Sequence, residues 1–156
     1  MTIKHIIRTT AALGILLTAS AVAQTRFCVG GDLDHLSQAE RNACSAKVQA
    51  VKAVASTLHA PADWHFVVVC GEQGWKQYAA YTLDVNPALL EATADTNLEQ
   101  HETFLRADRL DLDQLRSLRR VVAHEVAGIL LNSKDEVAID RQLNVWAEGS
   151  TQATGL

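Results

Sequence analysis

Two consecutive helical patterns in the C-terminal third constrain the fold of this 156-residue chain more than any other feature. Asp111 or Asp113 can cap the first helix, and Asn132 suits the left-handed residue that ends one near Leu131. Apolar residues recur between these points at intervals of three or four, which places them on one face: Leu115, Leu118, Val122, Val126, Ile129 and Leu130. A second helix follows at once, with a capping box at residues 133–136 (SKDE) and inward-facing Ile139, Leu143 and Trp146.

A helix and a buried strand are predicted in the N-terminal half. Ser37 and Glu40 have the spacing of a capping box, which opens a helix that continues to about Leu58 and stops before Pro61. Residues 64–70 (WHFVVVC) are β-branched and aromatic with almost no polar interruption, as in a strand buried on both faces. Residues 75–81 are predicted to form a short helix.

Two further strands complete the predicted sheet. They cover residues 89–94 and 103–106, with Asp95-Thr96-Asn97 helping to turn the chain between them. The order of elements predicts one α+β domain over residues 24–148, with helices packed on a small sheet and a long helix followed by a C-terminal helix. Residues 149–156 are small and polar, and we expect a flexible tail.

Residues 1–23 are predicted to be a secretory signal peptide. Lys4 and Arg8 form a short basic region, residues 11–21 are mostly apolar, and Ala21-Val22-Ala23 suits signal peptidase. A retained membrane anchor is the alternative, but the apolar run is too short to span a bilayer. Cleavage before Gln24 would leave 133 residues, enough for one domain, in the periplasm or outside the cell.

The charge of the exported part limits its partners. It retains 12 basic against 18 acidic residues, a net charge of −6, with no basic run. Such a chain neutralises phosphates poorly, so nucleic acid is not expected as a partner. No segment after the signal is apolar enough to cross a membrane. The partner class left open is an unknown protein or peptide.

All three cysteines lie in the exported part, where an oxidising compartment permits one disulfide and leaves one thiol. The Cys28–Cys44 pair is preferred because it would tie the N-terminus to the first helix. Both pairings with Cys70 remain open. The cysteines lack the close spacing of structural zinc sites.

A short motif in the long helix has the residues of metal-dependent hydrolysis. Residues 124–128 read His-Glu-Val-Ala-Gly. Two histidines four residues apart on a helix can hold one zinc ion, while the glutamate after the first histidine activates the bound water. His124 and Glu125 occupy the positions of the first ligand and the base. Gly128 occupies the position of the second histidine and has no side chain to donate.

The stretch from about residue 92 to 147 resembles the zincin metallopeptidases, especially gluzincin-like enzymes and ImmA/IrrE-type domains. Their active helix reads His-Glu-x-x-His-x-Leu-Leu, and the next helix provides a glutamate as third zinc ligand. The matching residues here are His124 to Leu131, followed by Asp135 to Asp140. The resemblance implies a zincin-like fold, Glu125 as general base, and zinc ligands at His124 and Glu136, with Asp140 as a substitute ligand.

The glycine changes what the resemblance implies for activity. A catalytic zinc has three protein ligands and one open position, so the loss of one leaves zinc bound weakly or not at all. Gly128 would also allow another segment to approach the helix closely. A histidine from elsewhere, His65 or His101, is the alternative third ligand.

Each site residue also has a purely structural interpretation. His124 could be a half-buried histidine that is hydrogen-bonded to a neighbour, and Glu125 an ordinary helix glutamate. Glu136 could complete the capping box with Ser133, which is the interpretation we favour from the sequence. Asp140 could be a ligand substitute, a partner of a ligand or a solvated residue.

Three functional hypotheses follow. The first is an exported metallopeptidase-like pseudoenzyme that acts as a binding or structural protein. The second is an active zinc peptidase with ligands His124 and Glu136, and with Glu125 as base. The third is a small secreted domain, unrelated to peptidases, that binds a partner through a patch near one of its three tryptophans, Trp64, Trp75 or Trp146.

Overall fold

A computed structural model describes residues 25–31, 33–82 and 87–153 of the chain. The predicted signal peptide lies outside the described residues, as do the last three residues of the predicted tail. Among the described helices, none combines the length and the apolar character that a transmembrane helix needs.

A mixed four-stranded sheet forms the centre of the α+β fold. Its strands are β1 (Arg26–Gly30), β2 (His65–Val69), β3 (Ala94–Asn97) and β4 (Glu102–Arg106), in the spatial order β1-β2-β4-β3. The strands β1, β2 and β4 are parallel, and β3 runs antiparallel to β4 at the edge. The side chain of Asn97 helps to close the β3–β4 turn, because its oxygen accepts hydrogen bonds from the Glu99 and Gln100 amides.

Helices account for most of the remaining described chain. Two short 3₁₀ turns cover Leu33–His35 and Ala107–Arg109. The α-helices are α1 (Gln38–Thr57), α2 (Glu72–Thr82), α3 (Pro87–Glu91), α4 (Leu115–Leu131) and α5 (Glu136–Ala153). The last helix extends past residue 148, as far as Ala153.

The predictions for α1, β2, β4 and α4 are confirmed within a few residues. Ser37 and Glu40 form the expected reciprocal capping box of α1. Asn132 ends α4 in the left-handed region, with φ 47° and ψ 48°. The predicted short helix is also present as α2, although it begins at Glu72.

The strand prediction for residues 89–94 is wrong. Pro87–Glu91 forms α3, whose first residue is a proline, a residue that suits this position because the first helical N–H has no partner in the helix. The residues that we predicted to turn the chain, Asp95 to Asn97, are instead most of β3. β1 was not predicted at all. β2 is buried at Phe66, Val68 and Val69 but only half-buried at His65 and Val67, so its predicted burial on both faces is only partly correct.

The main core lies between one face of the sheet and the helices α1 and α4. It is formed by buried side chains from all three, namely Phe66, Val68, Leu105, Val51, Ala55, Leu118, Val122 and Val126. Burial of these apolar groups positions α4 across the sheet, where it also contacts β3. This contact places the His124–Gly128 segment of α4 beside the edge strand.

The disulfide joins Cys44 to Cys70, so the preferred Cys28–Cys44 pairing is wrong. Cys44 lies on the buried face of α1, and Cys70 directly follows β2 in the core. Phe27 packs against this same core, and successive side chains of a strand point to opposite faces. Cys28 therefore points away from α1, and its thiol is exposed and free.

Candidate functional site

A polar cavity lies between α4, the edge strand β3 and the link from α4 to α5. Its volume is about 140 Å³. Side chains and backbone from all three segments form its walls: Ala94, Asp95, Thr96, His124, Glu125, Gly128, Ser133, Lys134, Glu136 and Ile139. The motif that we singled out from the sequence therefore lines a cavity rather than a packed core.

The structure brings two of the predicted metal ligands together. His124 Nε2 lies 3.4 Å from Glu136 Oε2, and this contact joins α4 to the first turn of α5. The side chain of His124 is 30% exposed and that of Glu136 is 72% exposed. Asp140 lies one turn further along α5, where it is exposed and does not line the cavity.

Glu125 is held by a chain of buried hydroxyl groups. Trp64 Nε1 donates to Thr103 Oγ1 (2.9 Å), Thr103 and Thr96 share a hydrogen bond (2.8 Å), and Thr96 Oγ1 donates to Glu125 Oε2 (2.6 Å). Because an indole N–H can only donate, the Thr103 oxygen accepts from Trp64 and the Thr103 O–H can donate to Thr96. The chain therefore ends on Glu125 with a donor, which suits a carboxylate.

Burial raises the pKa of Glu125 above its ordinary value of 4.5. The hydrogen bond from Thr96 and the electrostatic effect of His124 lower the pKa in part, while the charge of Asp95 raises it. Desolvation is the largest of these effects, because it disfavours the charged form of a carboxyl group. A raised pKa suits a proton acceptor, and it is equally the ordinary result of burying a glutamate.

Gly128 lies where the α4–α5 link folds back over the end of α4. The Ser133 N–H donates to the Gly128 carbonyl and the Asn132 N–H to the Ile129 carbonyl, both at 3.0 Å, as in a Schellman motif. A Cβ atom on Gly128 would lie 3.1 Å from the Ser133 carbonyl oxygen and 3.3 Å from Ile139 Cδ1. Backbone and an aliphatic side chain thus fill the space where a side chain at residue 128 would begin.

The cap of α5 differs from the one that we predicted. Asp135 Oδ1 accepts a hydrogen bond from the Val137 N–H, so Asp135 caps the helix. The Ser133 hydroxyl accepts from the Asp135 N–H instead of from the helix. The predicted capping box of Ser133 with Glu136 is therefore wrong. Its absence leaves the Glu136 carboxylate beside His124.

Sequence reasoning missed three further residues of the site. Asp95 and Thr96 had been assigned to a turn, and Lys134 to the helix start. The Lys134 ammonium group lies 3.6 Å from Asp95 Oδ1, and Tyr78 donates a hydrogen bond to Asp95 Oδ2 (3.1 Å). The β-branched Thr96 beside Ala94 was the available sign of a strand, but four residues are too few for a clear alternating pattern.

The proposed substitute histidines lie elsewhere. His65 Nδ1 is 3.6 Å from Glu102 Oε1, while His101 bonds to Asp63 and stacks on Trp64. Neither residue lines the cavity. In the part of the chain that the structure describes, no three histidine, cysteine or acidic side chains are arranged to hold one metal ion. The donor set that the resemblance implies therefore has two members close together, His124 and Glu136, and lacks the third.

Comparison with known proteins identifies no relative. No family model, no curated protein and no solved structure matches the chain. The resemblance to zincins consequently stays a prediction.

Proposed function

We propose that this chain is an exported binding protein that has the frame of a zinc peptidase and holds an extended peptide without cleaving it. The observation that carries the proposal is the crowding at Gly128. The predicted second ligand is absent there, and a Cβ atom at this position would lie 3.1 Å from the Ser133 carbonyl oxygen and 3.3 Å from Ile139 Cδ1. With two ligands left, zinc would bind far more weakly than at a catalytic site.

The edge strand β3 supports a peptide as the ligand. Arg106 N–H bonds to the Thr93 carbonyl, and hydrogen-bonded pairs alternate with non-bonded pairs in an antiparallel ladder. The backbone groups of Ala94 and Thr96 therefore face away from β4. Both residues line the cavity, and within the described ranges neither backbone has a hydrogen-bond partner. An added strand would satisfy these groups, as in recognition by β-augmentation.

The cavity walls suggest which side chain of the peptide would enter. Three carboxylates, those of Asp95, Glu125 and Glu136, face one lysine and one histidine. Lys134 is already close to Asp95, and His124 to Glu136. Glu125 accepts a hydrogen bond from Thr96 and forms no ion pair within the described residues, so it is the carboxylate best placed to accept from a ligand. We therefore expect a peptide with a hydrogen-bond donor in its side chain to bind best.

The test is a titration of the ¹⁵N-labelled mature protein with unstructured peptides that contain lysine, arginine or serine at the central position. Binding along β3 shifts the amide resonances of Ala94 and Thr96 first, and mass spectrometry finds the peptide intact. N-methylation supplies a matched control, because only alternate peptide amides face β3. Methyl groups on one alternate set should abolish binding, and those on the other set should leave it unchanged. Equal effects of both sets would contradict pairing with the edge strand.

A second candidate function, an active zinc peptidase, is favoured by the 3.4 Å contact between His124 and Glu136. It predicts one zinc ion bound per chain and peptide cleavage that a chelator stops. Glu125→Gln should then abolish cleavage while the zinc stays bound, because the base alone is removed. Calorimetric zinc titration together with this variant separates the two functions. Tight stoichiometric binding with chelator-sensitive cleavage would refute the binding-protein proposal.

A further inference from the structure

A second cleft, independent of the first cavity, lies where the C-terminal half of α1 meets α4 and α5. Its volume is about 310 Å³, and it shares no residue with the cavity around Glu125. Arg119, Arg120 and Ala123 approach it from α4, while Leu143 and Trp146 approach it from α5. The volume lies at the lower end of the range of roughly 300–1,000 Å³ that is typical of small-molecule sites.

The floor of this cleft is apolar. Val54 and Leu58 from α1 and Trp146 from α5 are half-buried and pack against the main core. Trp64 and Trp75, which we had also considered as surface binding residues, are instead buried, with 4% and 0% exposure. Of the three tryptophans, Trp146 is thus the one that faces a cleft open to ligands.

Two adjacent arginines, Arg119 and Arg120, stand beside this apolar floor. Arg119 and Arg120 are exposed, and neither forms a hydrogen bond or an ion pair within the described part of the chain. Within the described residues, the two neighbouring guanidinium groups are therefore available to an anion, although the chain as a whole is acidic, with a net charge of −4. Guanidinium groups bind carboxylates in a planar, two-pronged geometry.

We propose that this cleft binds a small anionic amphiphile, a carboxylate with an unbranched alkyl chain. The carboxylate lies between Arg119 and Arg120, and the alkyl chain covers Leu58, Leu143 and Trp146. The two halves of the ligand match the two halves of the cleft in charge and polarity. The proposal depends on this cleft alone and does not require the peptide-binding function.

Decanoate is the probe, added below its micelle concentration to the folded mature protein. We expect saturable binding of one molecule per chain by calorimetry, with a change in tryptophan fluorescence that Trp146→Phe abolishes. Arg119→Gln with Arg120→Gln should weaken binding by on the order of tenfold or more, because hydrogen bonds between charged groups are lost. The pair Arg26→Gln with Arg109→Gln is the matched control. It removes two positive charges elsewhere and should leave the affinity unchanged.

Decanol distinguishes recognition of the carboxylate from nonspecific hydrophobic binding. It has the same chain without the charge, so its binding should be weaker than that of decanoate in the wild-type protein and insensitive to the arginine substitutions. Circular dichroism confirms that each variant is folded, and the single variants Arg119→Gln and Arg120→Gln replace the double variant if it is not. Three outcomes would overturn the proposal: no saturable decanoate binding, equal loss in both double variants, or equal affinity in the wild type and in the Arg119/Arg120 variants.

Discussion

Gly128 has two effects on this site that depend on each other. Its missing side chain removes a potential ligand, and the same absence allows the α4–α5 link to fold closely over the helix. Glycine in a helix interior costs up to about 1 kcal/mol relative to alanine. At residue 128 this cost is offset by close packing, since the Ser133 carbonyl oxygen would lie only 3.1 Å from a Cβ atom there. Close packing of the α4–α5 link therefore explains glycine at residue 128 as well as the loss of a metal ligand does.

Restoring the histidine should destabilise the protein and fail to create a zinc site. Gly128→His places a branched side chain against Ser133 and Ile139, and such overpacking costs typically about 1–3 kcal/mol. Urea unfolding measures this loss. Ile139→Ala removes part of the obstruction. Gly128→His should therefore lower the free energy of unfolding by less in the Ile139→Ala protein than in the wild type. A variant that gains zinc affinity at full stability would show that the space over Gly128 is open.

The raised pKa of Glu125 predicts how stability depends on pH. Because the folded state holds the Glu125 proton more tightly than the unfolded state, this group stabilises the fold fully below the ordinary pKa of 4.5. The stabilisation is lost as the pH rises through the higher pKa of the folded state. Glu125→Gln cannot ionise, and its amide oxygen can still accept from Thr96. The melting temperature of this variant relative to wild type should therefore increase with pH.

Melting curves recorded from about pH 4 to 8 test this trend. Glu99→Gln, at an exposed position, controls for the change in net charge. A difference between Glu125→Gln and wild type that stays constant would show that folding does not raise the pKa of Glu125, and one that shrinks with rising pH would show that the carboxyl is stabilised as an anion.

The helices were predictable from sequence because their signals are local. The Ser37–Glu40 capping box, the apolar stripe of α4 and the stop at Asn132 each depend on residues within a few positions. The edge strand β3 has only four residues, and its place is decided by pairing with β4, which a local pattern does not reveal. The residues of the cavity were only partly predictable for the same reason. The sequence indicated His124, Glu125 and Glu136, but Asp95 and Thr96 reach the site only through the fold.

The choice of cap at α5 shows how a local signal can be shared by two residues. Both Ser133 and Asp135 are good N-cap types, and the structure places Asp135 in that role. Asp135→Ala should therefore destabilise the protein by about 1 kcal/mol, the usual effect of losing an N-cap. Glu136→Ala should change the free energy of unfolding by less than about 0.5 kcal/mol, as for other exposed substitutions. Chemical unfolding of both variants decides between the caps, since a capping box would make Glu136 the costlier loss.

The protein as a whole is held together around the junction of α1 and the sheet. Cys44 joins the buried stripe of α1 to the end of β2, the central strand onto which β1 and β4 both pair. The main core lies between the sheet and the helices α1 and α4. The cross-link therefore secures the layer contact on which the position of α4, and with it the cavity, depends. Cys28 lies in the edge strand β1 and contributes no such link.

Loss of the cross-link should lower the stability of the whole domain. The bond closes a loop with a sequence separation of 26 residues, and constraint of the unfolded chain by a loop of that length is worth about 3.5 kcal/mol. Replacement of both Cys44 and Cys70 by alanine should lower the free energy of unfolding by about this amount, with a single transition retained. Cys28→Ala is the control and should change it little, because its thiol is exposed. Two results would contradict the Cys44–Cys70 bond: a Cys28→Ala variant as unstable as the double variant, or peptide mapping that links Cys28 to another cysteine. The contact between α1 and β2 would then depend on side-chain packing alone.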